Sequence, residues 1–204
     1  VSDVVGASEP VLPDFSLKPT LRGERVVLRP IRAEDAPLLA VIFQDPEVAE
    51  LTGSVHRSGE RDEPYAPERL RQIYADWAQA TDRMVFAVED PDTGQVVGET
   101  VLNELDGPNL SCGFRILIGP EGRGRGMGTE ATRLTVEHAL HTVGLHRVSL
   151  EVYAFNPRAR HVYESVGFRH EGTGRDALRF DDSWVDVEYM AALATDPAWS
   201  VSRP

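Results

Sequence analysis

Residues 110–143, LSCGFRILIGPEGRGRGMGTEATRLTVEHALHTV, pass from a β-rich run (Leu110 to Ile118) through a glycine-rich turn (Gly119 to Gly128) into a helical pattern. The helix shows an inward stripe at Val136, Ala139, Leu140 and Val143, and Gly144 stops it. Small residues in Arg123-Gly124-Arg125-Gly126-Met127-Gly128 let consecutive backbone N–H groups face one point. The first helical turn adds unpaired donors and the positive end of its dipole, so a loop of this kind suits phosphate. The competing reading is a glycine-rich connector that binds nothing. A nucleotide-hydrolase loop would need Gly-Lys-Ser/Thr, which is missing from this stretch.

Downstream, Arg147 to Tyr153 alternates as a strand, Asn156-Pro157 opens a short helix that ends at Gly167, and Phe168 to Gly174 and Val185 to Leu193 read as strands. Upstream, Met84 to Glu89 and Gln95 to Leu105 flank Asp90-Pro91-Asp92-Thr93-Gly94, a hairpin signal. Hairpins contradict the strict βαβ repetition of a dinucleotide fold. Glu24 to Ile31 reads as a strand, and Ala33 to Gln44 as a helix ended by Asp45-Pro46. The acidic stretch Glu47 to Pro67 reads as a loop. A helix follows with Leu70, Ile73, Tyr74, Trp77 and Ala78 on one face. The expected class is α+β: a mostly antiparallel mixed sheet of about seven strands with about four helices on its faces. Residues 20–194 are expected to form one domain, with 1–19 a mobile leader and 195–204 a tail.

The 204 residues suffice for one domain with a sizeable core, and 41% hydrophobic with 26% charged residues is ordinary for a globular chain. No apolar run approaches the roughly 18 residues of a membrane span. Val1 to Pro13 lacks the basic and apolar regions of a secretory signal, so a cytoplasmic protein is expected. The single cysteine, Cys112, excludes an internal disulfide. A net charge of −12 argues against general binding to nucleic acid or anionic membranes. Yet Arg115 to Arg179 holds ten arginines against seven acids, a locally basic segment on an acidic body. That distribution suits an anionic cofactor in one place and a cationic substrate in another, with Glu47, Glu50 and Glu63 as candidates to attract the latter.

Two runs carry a resemblance. Arg123, Gly126 and Gly128 stand in the pattern Arg/Gln-x-x-Gly-x-Gly/Ala, and residues 156–168, NPRARHVYESVGF, follow at the matching spacing. In this order they resemble the GNAT N-acetyltransferase superfamily. ERVVLRPIRAEDA (24–36) with QDPEV (44–48) resembles its RimJ/RimL-like branch, which includes enzymes that acetylate the N-terminal amine of ribosomal proteins. Together the similarity spans Leu21 to Leu193. It implies a single GNAT-type domain, acetyl-CoA as co-substrate, no metal, and direct attack by a primary amine in a ternary complex. A protein N-terminal α-amine is the foremost acceptor implied. A polyamine or aminoglycoside is the alternative, and a non-catalytic acyl-CoA-binding module the rival class. Homodimers are common in the superfamily.

The resemblance also implies residue roles. Ile116, Leu117 and Ile118 would hold the pantetheine arm and the acyl carbonyl, Arg123, Gly124, Arg125, Gly126, Met127, Gly128 and Thr129 would wrap the pyrophosphate, and Arg160 would reach the phosphates. Asn156 would touch the pantetheine arm, although its position also makes it an N-cap. Tyr163 would protonate the departing thiolate, although its periodicity alone places it in the core. Glu151 matches a general base of some members, or is a carboxylate on the polar side of its strand. Deprotonating a lysine-like amine of pKa ~10.4 at pH 7 costs about 4.6 kcal/mol, against about 1.4 for an α-amine of pKa ~8. Cys112 reads as buried rather than nucleophilic, and His138, His141 and His146 as surface residues rather than a metal site. Trp184 is expected to line the acceptor cleft or to pack.

Overall fold

Seven β-rich runs of the sequence and one further pair of residues join a single sheet. The computed structural model describes residues 12–60 and 66–200, and the sheet order within them is β1-β2-β3-β4-β5-β6-β8-β7. β1 (Leu21–Arg22) and β2 (Val27–Pro30) form a hairpin. β3 (Met84–Glu89), β4 (Val96–Asp106) and β5 (Ser111–Ile118) continue antiparallel from it. β6 (Arg147–Tyr153) runs parallel to β5, and β8 (Ser183–Leu193) lies between β6 and β7 (Arg169–Phe180). β3 is buried almost throughout because helices cover both of its faces, which explains its continuous apolar sequence. On one face α1 (Ala36–Phe43), α2 (Pro46–Thr52) and α3 (Pro67–Gln79) pack Leu39, Ile42, Val48, Leu70 and Tyr74 against Val85, Ala87 and Val101. On the other, α4 (Met127–Glu137) and α5 (Pro157–Val166) pack Ala131, Val136, Tyr163 and Val166 against Phe86, Leu102 and Phe114.

The expected α+β class holds, in a single mixed sheet, with one more strand and one more helix than expected. The added helix, α2, begins at Pro46 and runs into the stretch read as a loop. Asp45-Pro46 does end α1, but the same pair starts α2: Asp45 Oδ1 accepts from Val48 N at 3.1 Å, and Pro46 occupies the first turn, where no N–H is needed. Glu63 and the other residues of 61–65, like residues 1–11 of the expected leader, lie outside the described residues.

The expected domain edges run inside packed chain. Phe15 is fully buried, its N–H donates to Thr81 O, and the Lys18 ammonium donates to the carbonyls of Trp77, Ala78 and Ala80 at the end of α3. Trp199 is buried at the other end, beside Gly167. α4 runs on through a π-helical turn, His138–Thr142, where Val143 N donates to His138 O. His138 is therefore not a surface residue: it is buried edge-on against Phe86, and burial pushes its imidazole below the ordinary range. Among the described residues no helix is long and apolar enough to cross a membrane.

Candidate active site

β5 and β6 pair only at Ser111↔Arg147, Cys112↔Val148 and Gly113↔Ser149, and beyond these positions they diverge. Strand alternation assigns the freed groups. Gly119 N donates to Val97 O, so the N–H and C=O of Leu117 also turn toward β4, and those of Ile116 and Ile118 turn into the gap. Gly98 permits the close pairing on the β4 side: a Cβ there would meet Leu117 O at 2.2 Å. The gap opens a cleft of about 430 Å³ that passes through the sheet, because its lining comes from both faces. Phe114, Ile116, Val152, Ala159, Val162 and Tyr163 line the α4/α5 side; Val48, Leu51, Thr52, Arg115, Glu151 and Tyr153 line the α2 side.

The glycine-rich turn closes one end of this cleft. Gly124 (φ 71°) and Gly126 (φ 77°) take the left-handed conformation that glycine adopts without strain, and Gly124, Gly126, Gly128 and Thr129 all face the cleft. The early N–H groups of α4 have no intrahelical acceptor and point the same way. The arginine side chains of this segment have protein partners. Arg123 Nε donates to Ile118 O at 3.0 Å and its guanidinium pairs with Glu47 and Asp45, which ties β5 to α2. Arg125 turns away to Asp90 at 2.8 Å, and Met127 is buried in the core. Arg160 pairs with Glu164 and Glu188 outside the cleft; Arg158, two residues earlier, lines it and pairs with Glu47. The loop thus offers main-chain amides, with its arginines engaged by carboxylates.

A further arginine comes from a distant part of the sequence. The Glu130 carboxylate, in the first turn of α4, accepts from the N–H groups of Glu24, Arg25 and Val26 at 3.0, 2.6 and 2.9 Å. This three-point hold places the Arg25 side chain over Gly126, with Cδ 3.2 Å from where a Cβ would stand. Sequence reasoning missed Arg25, since nothing local to residues 24–26 signals a contact with a loop a hundred positions on.

Asn156 Oδ1 accepts from Ala159 N at 3.0 Å and so caps α5, while the residue also lines the cleft. The two expected roles draw on different atoms, because the cap occupies the oxygen and leaves the amide nitrogen. Tyr163 lines the cleft floor, packed edge-on against Phe114 and Phe168, and burial pushes its phenol above the ordinary range. Glu151 is exposed on the opposite face of the sheet, at the α2 mouth. Cys112 is buried, its thiol pushed up to about 12 by desolvation, which suits packing and not nucleophilic attack. Trp184, 60% exposed at the β7–β8 turn, is mostly open to solvent and is not among the residues that line the cleft. No group of histidines, cysteines and carboxylates able to hold a metal occurs among the described residues.

Of the acids proposed to attract a cationic acceptor, the two among the described residues are engaged internally. Glu47 binds Arg123 and Arg158, and Glu50 accepts from Gly59 N. The segment after α2 docks on the β7–β8 turn, where Asp181 holds Ser58 through both its N–H and its hydroxyl.

Residues 25–169 match the family model described as an acetyltransferase (GNAT) domain. The chain belongs to the GNAT acetyltransferase family. It is therefore an acetyl-CoA-dependent N-acetyltransferase, and acetyl-CoA is its co-substrate. The chain is 29% identical over 133 residues to a spermidine N(1)-acetyltransferase of Vibrio cholerae, covering 65% of this chain and 76% of that one. It is 25% identical over 160 residues to a putative ribosomal N-acetyltransferase, YdaF, of Bacillus subtilis, covering 64% and 87%. A crystal structure of the Vibrio cholerae spermidine N-acetyltransferase with CoA and spermine superposes at a TM-score of 0.74 and 23% identity, over 85% of this chain and 98% of that one; at this identity the likeness shows the fold.

Proposed function

We propose that this GNAT enzyme acetylates a small primary amine entering from the α2 mouth, with CoA bound along the α4/α5 side. The observation that carries the reading is the through-sheet cleft: phosphate-loop amides and Tyr163 lie on one side of the β5–β6 gap and Glu151 on the other. An acyl donor and an amine can then meet at the gap without sharing a mouth. The similarity to an enzyme named for spermidine favours a small amine over the protein N-terminus implied by the RimJ/RimL-like segments.

In this reading Gly124 to Thr129 hold the pyrophosphate, and the backbone of Ile116 and Ile118 holds the pantetheine arm, joined by the Asn156 amide nitrogen, whereas Leu117, expected to share that role, pairs with β4. The ammonium gives one proton, directly or through one water, to Glu151, which passes it to solvent; the free nitrogen attacks the thioester carbonyl carbon and then loses its second proton by the same route. Freed N–H groups of β5 stabilise the oxyanion. As the C–N bond forms and the C–S bond breaks, Tyr163 protonates the sulfur and is then reprotonated from solvent. The products are the acetamide and CoA thiol. The cytoplasmic location and any homodimer belong to the same proposal.

A thiol-release assay with acetyl-CoA across polyamines, amino acids, aminoglycosides and peptides with free N-termini tests it. Turnover with a small amine is the expected result. Turnover confined to peptides would restore the N-terminal acceptor, and CoA binding with no turnover on any amine would overturn the proposal.

A further inference from the structure

The two lips of the β5–β6 gap carry opposite charges in register. Extending the parallel pairing Gly113↔Ser149 by two residues sets Arg115 opposite Glu151, and strand alternation points both to the α2 face. Both are exposed and both line the cleft. Because the strands have parted, the two do not form an ion pair, and Arg115 has no carboxylate within 4 Å among the described residues. The other arginines of the lining differ, since Arg123 and Arg158 are both paired. Nearby acids do not neutralise Arg115 by contact. Glu99 is buried beneath this face and takes a hydrogen bond from the Tyr74 hydroxyl at 2.8 Å, and Glu104 lies over Gly113. The acceptor mouth is thus a cation and an anion held apart by backbone geometry, with room between them for a molecule of the opposite polarity.

We propose that the acceptor carries a carboxylate beside its primary amine, with Arg115 binding the carboxylate and Glu151 facing the amine. The inference rests on the small-amine reading above and narrows it, because an unpaired guanidinium at the mouth repels a polycation and rewards an amino acid. Arg115 suits that role, since its planar fork can bind both carboxylate oxygens at once. The carboxylate contact would persist through the reaction, so it would act on acceptor binding and orientation.

The test compares α-amino acids, their amides, the corresponding decarboxylated amines and spermidine as acceptors, with kcat/KM expressed per unprotonated amine. The wild-type enzyme is expected to favour the free carboxylate over the amide by about tenfold or more. Arg115→Gln should abolish that preference by lowering kcat/KM for amino acids alone, leaving amides within about threefold and the Kd for CoA within about twofold. Arg115→Glu should shift preference toward spermidine. Equal use of amino acids and their amides, or an equal loss on both in Arg115→Gln, would overturn this proposal while leaving the small-amine reading intact. No turnover on any amine with CoA still bound would overturn both.

Discussion

Replacing Tyr163 by phenylalanine removes one oxygen from the floor of the cleft and leaves the packing in place. The ring meets Phe114 and Phe168 at centroid distances of 6.4 and 5.9 Å, contacts that phenylalanine keeps. The hydroxyl has no protein hydrogen-bond partner among the described residues, so stability should change by less than about 1 kcal/mol. Catalysis should respond far more. Proton donation to a leaving group contributes on the order of 10²–10⁴-fold, and a thiol of pKa ~8.5 needs less help than most, so the low end applies. A loss of about 10² in kcat corresponds to about 2.7 kcal/mol of transition-state stabilisation. Because burial raises the phenol above its ordinary 10, the group stays protonated from pH 6 to 9, and the deficit should be constant over that range. Thiol release under saturating acetyl-CoA, with calorimetry of CoA binding and thermal melts, separates the effects. A kcat within about threefold of wild type would refute the proton-donor role. So would a comparable loss explained entirely by weaker CoA binding.

Glu99 makes stability depend on pH. Burial raises its carboxyl to about 7 from an ordinary 4.5, so the folded state binds its proton more tightly than the unfolded state. Its stabilising contribution is therefore fully present below about pH 4.5 and lost as pH rises through about 7, a change of about 3 kcal/mol. Glu99→Gln should flatten that part of a melting-temperature profile while keeping the Tyr74 hydrogen bond; an unchanged slope would show that Glu99 is not its source. Gly98→Ala would force a Cβ to within 2.2 Å of Leu117 O, and should lower stability by about 2–4 kcal/mol in thermal or urea unfolding. Arg25→Ala should raise the Kd for CoA several-fold, by an amount that shrinks as salt is added, and Glu130→Ala should do the same by releasing the turn that positions Arg25. Calorimetry at two ionic strengths checks both; an effect of Arg25→Ala that ignores salt would remove the electrostatic explanation.

The legible parts of the site were those encoded within a few residues of one another. The turn at Gly124 and Gly126 announces itself because left-handed backbone selects glycine, and Asn156-Pro157 because an N-cap and a first-turn proline are local devices. α2 was hidden because Asp45-Pro46 ends one helix and opens another, a double duty that a breaker rule reads only once. The fates of the loop arginines were equally hidden. Arg123 and Arg125 look alike in sequence, but one braces Ile118 and Glu47 and the other reaches Asp90, choices set by which acids the fold brings near.

From sequence alone came the class of fold, the order of nearly all its elements and the phosphate-type loop, since each depends on periodicity or turn chemistry, and the acyl-transfer chemistry came from the family resemblance that two contiguous motifs carry. The resemblance implied that the strand before the loop splays from its neighbour; tertiary structure alone decided that the parting comes after Gly113, that the cleft therefore opens on both faces of the sheet, and that Arg25 and Arg115 stand where they do. The physical reason is that strand divergence and long-range packing are properties of pairs of distant segments. A single run of residues records which way its own side chains alternate, and says nothing of what waits across the gap.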